Sequence, residues 1–534
     1  MTSDSPSQSG VARASALLAL GNIASRALGL AREIVLSNIF GASRALEAFN
    51  NAVLVSRSVF DLLIAGHISG ALVPVLSEIE STQGREAFNR VLRALAGLVL
   101  VAVGAFALLL FPLADPIARL IGGDDWRTLS LTAELLRLTS PAVVLLCLFG
   151  VYSGALYALG NFRYPALAAS VFNGTMVVLT LLSGQLFSGE AVVRAVAIAW
   201  IIAAAAQLAL QLWGLRGSTL WPTLNLSDPV VRPALRKIGK LYLPVVGATL
   251  FDIFTTRFLT YALAAAAVIQ HGNTYMNWAT TLVQFPQGLV ATAISAAVLP
   301  TLSRLAALIK SEPDGDHAQN FVNTLGYGLR LTTALILPAA IGLAVLAEPT
   351  IRLLFEHGQF TPSATSITTI ALRLYLIGLP FAAWDLLLIY GFYAKQDTLT
   401  PASVGVVSLI VYAAAALMLT PAFGLYALMM ADAIKHITHA LISGVLLWRR
   451  TDGMGEQRLF QTFLKSLAAC AVMAGVAWLI LPRLEWAFGY GNTFNELLTV
   501  VIVGAACALA YFATAYALRI DDLRGLGSAI LRRK

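Results

Sequence analysis

Again and again this chain runs for twenty or more residues with scarcely a charge. A helix needs about 20 mostly apolar residues to cross the hydrocarbon core of a bilayer. About 14 such stretches can be laid along the 534 residues. Only helices and closed barrels span lipid, because each backbone polar group there must be satisfied internally. Very few segments alternate with period two, which argues against a barrel. The expected fold is an all-α polytopic membrane protein. Charged residues make up 12% of the chain, half the ~25% of a soluble domain, so the main solvent is lipid. Several stretches are too long for a straight crossing and must tilt, bend or project.

A net charge of +8 would also fit a nucleic-acid binder. Here, however, the basic residues fall in short loops between apolar runs, which is the positive-inside pattern. With the N-terminus inside, 22 of the 36 Lys and Arg lie in or beside cytoplasmic loops and tails. Six lie outside and eight within spans. The chain is therefore expected in a cytoplasmic membrane, multi-pass, with both termini cytoplasmic and no nucleic-acid partner. The polar opening "MTSDSPSQSGVARAS" lacks the short apolar core and cleavage site of a signal peptide. Cys147, Cys470 and Cys507 lie inside apolar stretches with no C-x-x-C or metal spacing, so neither disulfide nor metal is expected.

The chain repeats itself. "GALVPVLSE" ends the second span and "AAVLPTLSR" ends the eighth, with Pro74 and Pro300 226 residues apart. "YALGNFRYP" and "YAKQDTLTP" join spans four to five and ten to eleven, at an offset of 236 from Tyr157 to Tyr393. At that same offset Arg137 meets Arg373. Chance would explain one such echo in apolar sequence, but not an ordered set in matching spans. Six spans thus repeat as six spans in the same topology, as in transporters with parallel repeats about an axis along the membrane normal. The expected organisation is a cytoplasmic tail at 1–11, a six-helix lobe at 12–216, a basic cytoplasmic linker at 217–240 and a second six-helix lobe at 241–450. A pseudo-twofold would relate the lobes, and two extra helices with a cytoplasmic tail would follow at 451–534.

Some spans carry charge, at a cost of at least ~2.5–3.5 kcal/mol per ionisable group at the bilayer centre. Span one (12–40) holds Arg26, Arg32 and Glu33, with Gly29 opening space between the arginines. Span two (49–77) holds Arg57 and Asp61 at i, i+4, suited to a local ion pair. Span seven (241–269) holds Asp252 and Arg257. Span ten (364–395) holds Arg373 and Asp385, and span twelve (424–449) holds Asp432, Lys435 and His436. Residues near span ends can snorkel to headgroups. Arg26, Arg32 and Arg57 cluster within two spans and point instead to a cationic, water-filled cavity for an anionic substrate, since guanidinium binds phosphate bidentately. Spans thirteen and fourteen carry almost no charge, and an apolar flank beside a polar cavity suits a charged head on a lipid tail. Asp252 and Asp385 read as lone acids of the second lobe, candidates for a coupling proton or sodium site.

The run "SRALGLAREIVLSNIFGASRALEAFNNA" resembles the opening of the MurJ (MviN) family of lipid II flippases. "GALVPVLSE", "QFPQG" with "AVLPTLSR", "LFEHGQFT" and "GFYAKQDTLTP" resemble further signatures of that family, in order. The resemblance covers nearly the whole chain. It implies the multidrug/oligosaccharidyl-lipid/polysaccharide exporter fold and flipping of undecaprenyl-pyrophosphate-linked peptidoglycan precursor between leaflets. It implies no cofactor, an ion gradient or membrane potential as driver, and membrane lipids and cell-wall synthesis machinery as partners. By matching positions it carries Ser25, Arg26, Arg32 and Glu47 over as cavity or entrance residues. Phe60, Ala65 and Thr281 depart from the family, which usually has charged residues there, while Gly66 is kept. Arg57, or Arg257 or Arg373 in the other lobe, would supply the missing charge.

The departures leave open a flippase for another polyprenyl-linked glycan. A cation-coupled drug exporter would want acids in place of the arginines. A membrane-embedded transferase would want a D-x-D or carboxylate pair, for which Asp124–Asp125 and Asp521–Asp522 are the nearest match, or metal ligands such as His436 and His439. A non-transporting scaffold of a cell-wall complex would have no use for costly buried arginines.

Overall fold

The computed structural model describes residues 8–62, 72–216, 221–312, 315–451, 453, 457–520 and 522–523, with backbone alone for 8–19, 243–245, 248 and 296. Among them the secondary structure is helical. The order is α1 (Gln8–Phe40), α2 (Arg44–Phe60), α3 (Val73–Ile121), α4 (Trp126–Ala158), α5 (Arg163–Leu186), α6 (Glu190–Gly214) and α7 (Val231–Ile253). A π-helical segment (Phe254–Leu259), α8 (Thr260–Ala265) and α9 (Gly272–Pro286) follow. Next come a second π segment (Gln287–Ala291), α10 (Thr292–Ser311), α11 (His317–Val345), α12 (Ala347–Phe355) and α13 (Pro362–Ala394). The last four are α14 (Leu399–Phe423), α15 (Tyr426–Arg450), α16 (Leu459–Phe488) and α17 (Thr493–Ala517).

Two compact units divide between Ala266 and Ala267, so residues 241–266 count with the first unit. The basic linker expected at 217–240 becomes helix from Val231, and its residue Thr223 donates its backbone N–H to Arg93 O at 3.0 Å. In the first unit α1 packs on α5, α2 on α4, α3 on α4, and α6 on both α4 and α5. In the second unit α13 and α14 pack on α15, and α11 packs on α10, α13 and α16. The last two helices pair with each other. Their seam is a core of Ala334, Leu337, Cys470, Met473, Cys507 and Tyr511, locked by the Tyr511 hydroxyl donating to Ala334 O at 2.6 Å. The thiols act there as small apolar groups. Away from the seam Trp478, Trp486, Leu509 and Phe512 stand exposed, as lipid-facing side chains must.

Ten helical stretches among the described residues are long and apolar enough to cross a membrane. The expected spans missing from that set are one, two, seven and twelve, four of the five singled out for internal charge. α3 is two helices in one. Gly84, at φ +82° and ψ 177°, breaks it, a conformation L-residues with a Cβ rarely adopt. The break falls between the expected ends of spans two and three.

The echo between Tyr157 and Tyr393 is an echo in backbone. Gly160 has φ +69° and Gln396 φ +62°. Gly160 N–H donates to Tyr157 O at 3.0 Å and Gln396 N–H to Tyr393 O at 2.9 Å. Asn161 N–H reaches Leu156 O at 2.9 Å and Asp397 N–H reaches Phe392 O at 3.0 Å. This is one helix-ending turn written twice. The paired arginines also agree: Arg137 Nε donates to Phe111 O at 3.1 Å and Arg373 Nε to Ala344 O at 3.0 Å. Each reaches back to a carbonyl of the preceding long helix.

Candidate functional site

The charged residues of the first unit meet through side chains from five elements. Gly29 leaves room on α1, and Asn173 of α5 enters it. A Cβ at residue 29 would lie 3.6 Å from Asn173 Nδ2. Asn173 Nδ2 donates to Ser25 O at 3.2 Å, and its Oδ1 accepts from Arg32 at 3.0 Å. Arg32 also donates to the buried Glu33 at 2.6 Å. The guanidinium is thereby held by an acid of its own helix and an amide from α5. Arg26, one face round, is half-buried.

On α2, Ser43 caps the helix by accepting from Leu46 N–H, and Glu47 is buried in the first turn. The Arg57 guanidinium lies 5.0 Å from the ring centroid of Trp200 on α6. Phe172 and Phe49 pack edge-on against that indole at 4.8 and 6.0 Å. An aromatic face attracts a cation through its quadrupole, and the guanidinium's N–H groups are the donors that match an anion such as phosphate.

The expected ion pair between Arg57 and Asp61 does not form. Asp61 pairs with Arg257, which arrives from the π segment of the first unit. The side-chain hydroxyls of Thr255 and Thr256 bond back to Phe251 O at 2.6 Å and Asp252 O at 2.8 Å. Such back-bonding competes with the α-helical ladder, and π segments recur at functional sites. A facing guanidinium reaches the carboxylate across the helix interface, and Arg57 takes the aromatic face instead. Arg257 therefore belongs with the first-unit charges rather than with a second lobe.

Phe60 stacks on Phe149 at 5.9 Å, so apolar packing occupies this position instead of a charge. Thr281 donates its hydroxyl to Asn277 O at 2.8 Å. Ala65 and Gly66 lie outside the described residues. Asp252 is exposed on α7 and accepts from Thr256 at both its backbone and its side chain.

In the second unit Asp385 is not a lone acid. His439 of α15 bonds it through Nδ1, with both side chains largely buried, and Ser443 lies 3.3 Å from the same ring nitrogen. On the same helix Lys435 donates to Asp432 at 2.5 Å and His436 lies 3.7 Å from it. Arg373 is exposed. Among the described residues no group of three His, Cys, Asp or Glu is placed to hold a metal ion.

Of the acid pairs considered for catalysis, Asp125 and Asp522 serve structure, and Asp521 lies outside the described residues. Asp125 caps α4, accepting from Arg127 N–H at 3.3 Å and Thr128 N–H at 3.2 Å and from the Thr128 hydroxyl at 2.7 Å. The Thr128 hydroxyl bond, then the backbone donors and Arg44, hold its carboxyl below the usual range. Asp522 pairs with Arg330. Asn173, Trp200 and the His439–Asp385 bond do not stand out in the sequence, because a search for charge passes over neutral residues and helix neighbours.

A family model described as lipid II flippase MurJ matches residues 36–499. A probable lipid II flippase MurJ of Bdellovibrio bacteriovorus is 28% identical over 96% of each chain. Lipid II flippase MurJ of Burkholderia cenocepacia is 27% identical over 92% of this chain and 93% of that one. A solved structure of lipid II flippase MurJ in an inward closed conformation superposes with a TM-score of 0.76 at 21% identity, covering 95% of this chain and 99% of that one. An inward-facing MATE family transporter of the MOP superfamily superposes with a TM-score of 0.67 at 16% identity, covering 81% and 96%.

Proposed function

The chain belongs to the lipid II flippase MurJ family, and from that premise we propose that it carries lipid II from the inner to the outer leaflet of a bacterial cytoplasmic membrane by alternating access. Arg26, Arg32, Arg57 and Arg257 hold the pyrophosphate. The observation that carries this reading is the arrangement of Arg57. Its guanidinium lies over an aromatic face and, among the described residues, forms no ion pair with a carboxylate, so an arriving phosphate meets a cation with donors to offer. Arg32 and Arg257 have acidic partners at hand and can exchange them for substrate oxygens. Release then restores the internal pairs, which keeps binding firm but reversible. Ser25 and Asn173 fix the position of Arg32, and Glu47 stands at the entrance.

The six-helix repeat supplies the moving parts, and the shared backbone of its turns supports it. Asp385 and His439 form the coupling site, where one proton gained or lost changes the charge of a buried pair. The test is replacement of the resident lipid II flippase in a depletion strain. Growth, together with labelled lipid II in the outer leaflet, is the expected result. An inserted, stable chain that yields neither would overturn the assignment.

A further inference from the structure

A second polar site lies in the second unit, where the start of α16 and the end of α17 meet the flank of α11. A pocket of about 310 Å³ opens there, lined by Arg330, Arg458, Lys465, Arg519, Gln461 and Asp522 among others. Arg330 is already committed. Its Nε donates to the Asp522 carboxylate at 3.0 Å, and another nitrogen donates to Gln457 O at 2.9 Å and Gln457 Oε1 at 3.1 Å. Lys465 Nζ donates to a neutral acceptor, Arg519 O, at 3.2 Å. Among the described residues lining the pocket Asp522 is the sole carboxylate, set against four bases.

The two remaining arginines sit where the backbone resists them. Arg458 has φ +50° and Arg519 φ +53°. Arg519 closes α17 in a turn where Ile520 N–H returns to Ala515 O at 3.1 Å, a position that glycine fills at less cost. Strained non-glycine residues persist where something else favours the side chain. Beside the pocket, Phe460, Leu464 and Leu467 stand exposed on α16, a strip on which an acyl chain can lie. The positive-inside pattern assigns this end of both helices to the cytoplasm.

We propose that this pocket binds a phosphate-bearing anion, and that the phosphate is the headgroup of an acidic membrane lipid. Basic pockets between membrane helices on the cytoplasmic side recognise such headgroups, and arginine matches phosphate geometry with paired donors. The bound lipid pins α16 and α17 to α11 through Arg330 and its neighbours.

The test uses the purified full-length chain in neutral detergent. The probes are phosphatidylglycerol, phosphatidylcholine and inorganic pyrophosphate, and retention is read by native mass spectrometry. Phosphatidylglycerol should be retained over phosphatidylcholine, and Arg458→Gln with Lys465→Gln and Arg519→Gln should weaken it roughly tenfold or more. Arg232→Gln with Arg236→Gln and Lys240→Gln, exposed on α7, should leave it unchanged. Arg519→Gly removes the guanidinium while relieving the backbone, so it should weaken lipid retention without lowering thermal stability. Retention of pyrophosphate alone, lost in the triple variant, would keep the anion site and overturn the lipid. Equal loss in the α7 control, or no preference over phosphatidylcholine together with no retention of pyrophosphate, would overturn the site.

Discussion

At the scale of single residues, Arg57 is the clearest case. Its guanidinium is held over Trp200 rather than against Asp61. Arg57→Lys keeps the charge but loses the planar fork and its stacking. The expected outcome is a flipping defect of roughly tenfold, with Arg57→Ala costing about as much as a lost charge-assisted hydrogen bond or more. Removing Asp61 should not rescue Arg57→Ala, since the two are not partners. Rescue, measured as transport of labelled lipid II, would restore the local ion pair that the spacing suggested. Arg257→Ala is the opposite case: it strands a half-buried carboxylate, so Arg257→Ala with Asp61→Asn should recover stability lost in the single variant. Asp385→Asn and His439→Gln should each slow turnover and flatten its pH dependence while leaving lipid binding intact. Turnover in both variants that follows the parent protein's rate and pH profile would remove the pair from coupling.

Asp397 shows the same physics outside the membrane. The Thr400 hydroxyl at 2.6 Å, the Thr400 N–H at 3.0 Å and then Arg450 hold its carboxyl down at about 2. A depressed acid stabilises the fold above its unfolded value near ~4 and loses that contribution as pH falls through the folded value. Asp397→Asn should therefore lower the unfolding midpoint at pH 7. The gap to the parent protein should begin to close below about pH 4. A gap constant from neutral pH to strong acid would show that the carboxylate charge is not what matters.

At the scale of elements, the turn after α4 and the turn after α13 share a backbone but differ at the left-handed position, Gly160 in one and Gln396 in the other. Gly160 sits in a left-handed turn, and a Cβ added there would meet no heavy atom within 4 Å, so only backbone strain opposes substitution. Gly160→Ala should cost about 1 kcal/mol, and Gln396→Gly should gain up to about 1 kcal/mol from relief of the same strain. Chemical or thermal unfolding in matched detergent would read both signs. Equal signs would mean that the two turns are not equivalent. The sequence made this equivalence legible because Tyr, Ala and Pro recur at one offset, while the helix break at Gly84 has no such duplicate to draw the eye.

At the scale of the molecule, the membrane class could be read from hydropathy alone, and the charged spans stood out for a related reason. Both are local properties of a window. What could not be read were the partners: Asp61 with Arg257, 196 residues away, and Asp385 with His439, 54 away. Those depend on which helices face each other, and a hydrophobic stripe does not say. The positive-inside count predicts both termini on the cytoplasmic side. Single cysteines placed at the two ends, in a background where Cys147, Cys470 and Cys507 are replaced, should react with an impermeant maleimide only after the membrane is opened. Labelling of either end in intact cells would reverse the topology.

The charge carried by α1 and α2 has a consequence for how the chain is made. These helices leave the ribosome before the rest of the described elements and are among the least able to partition into lipid alone, each buried charge opposing entry by ~2.5–3.5 kcal/mol. Yet α1 packs on α5 and α2 on α4, which emerge later. The opening hairpin must wait, held at the translocon or in its shelter, until its neighbours arrive to cover the arginines. Nascent chains truncated after α2 should remain extractable by alkaline carbonate, and chains extended through α6 should not.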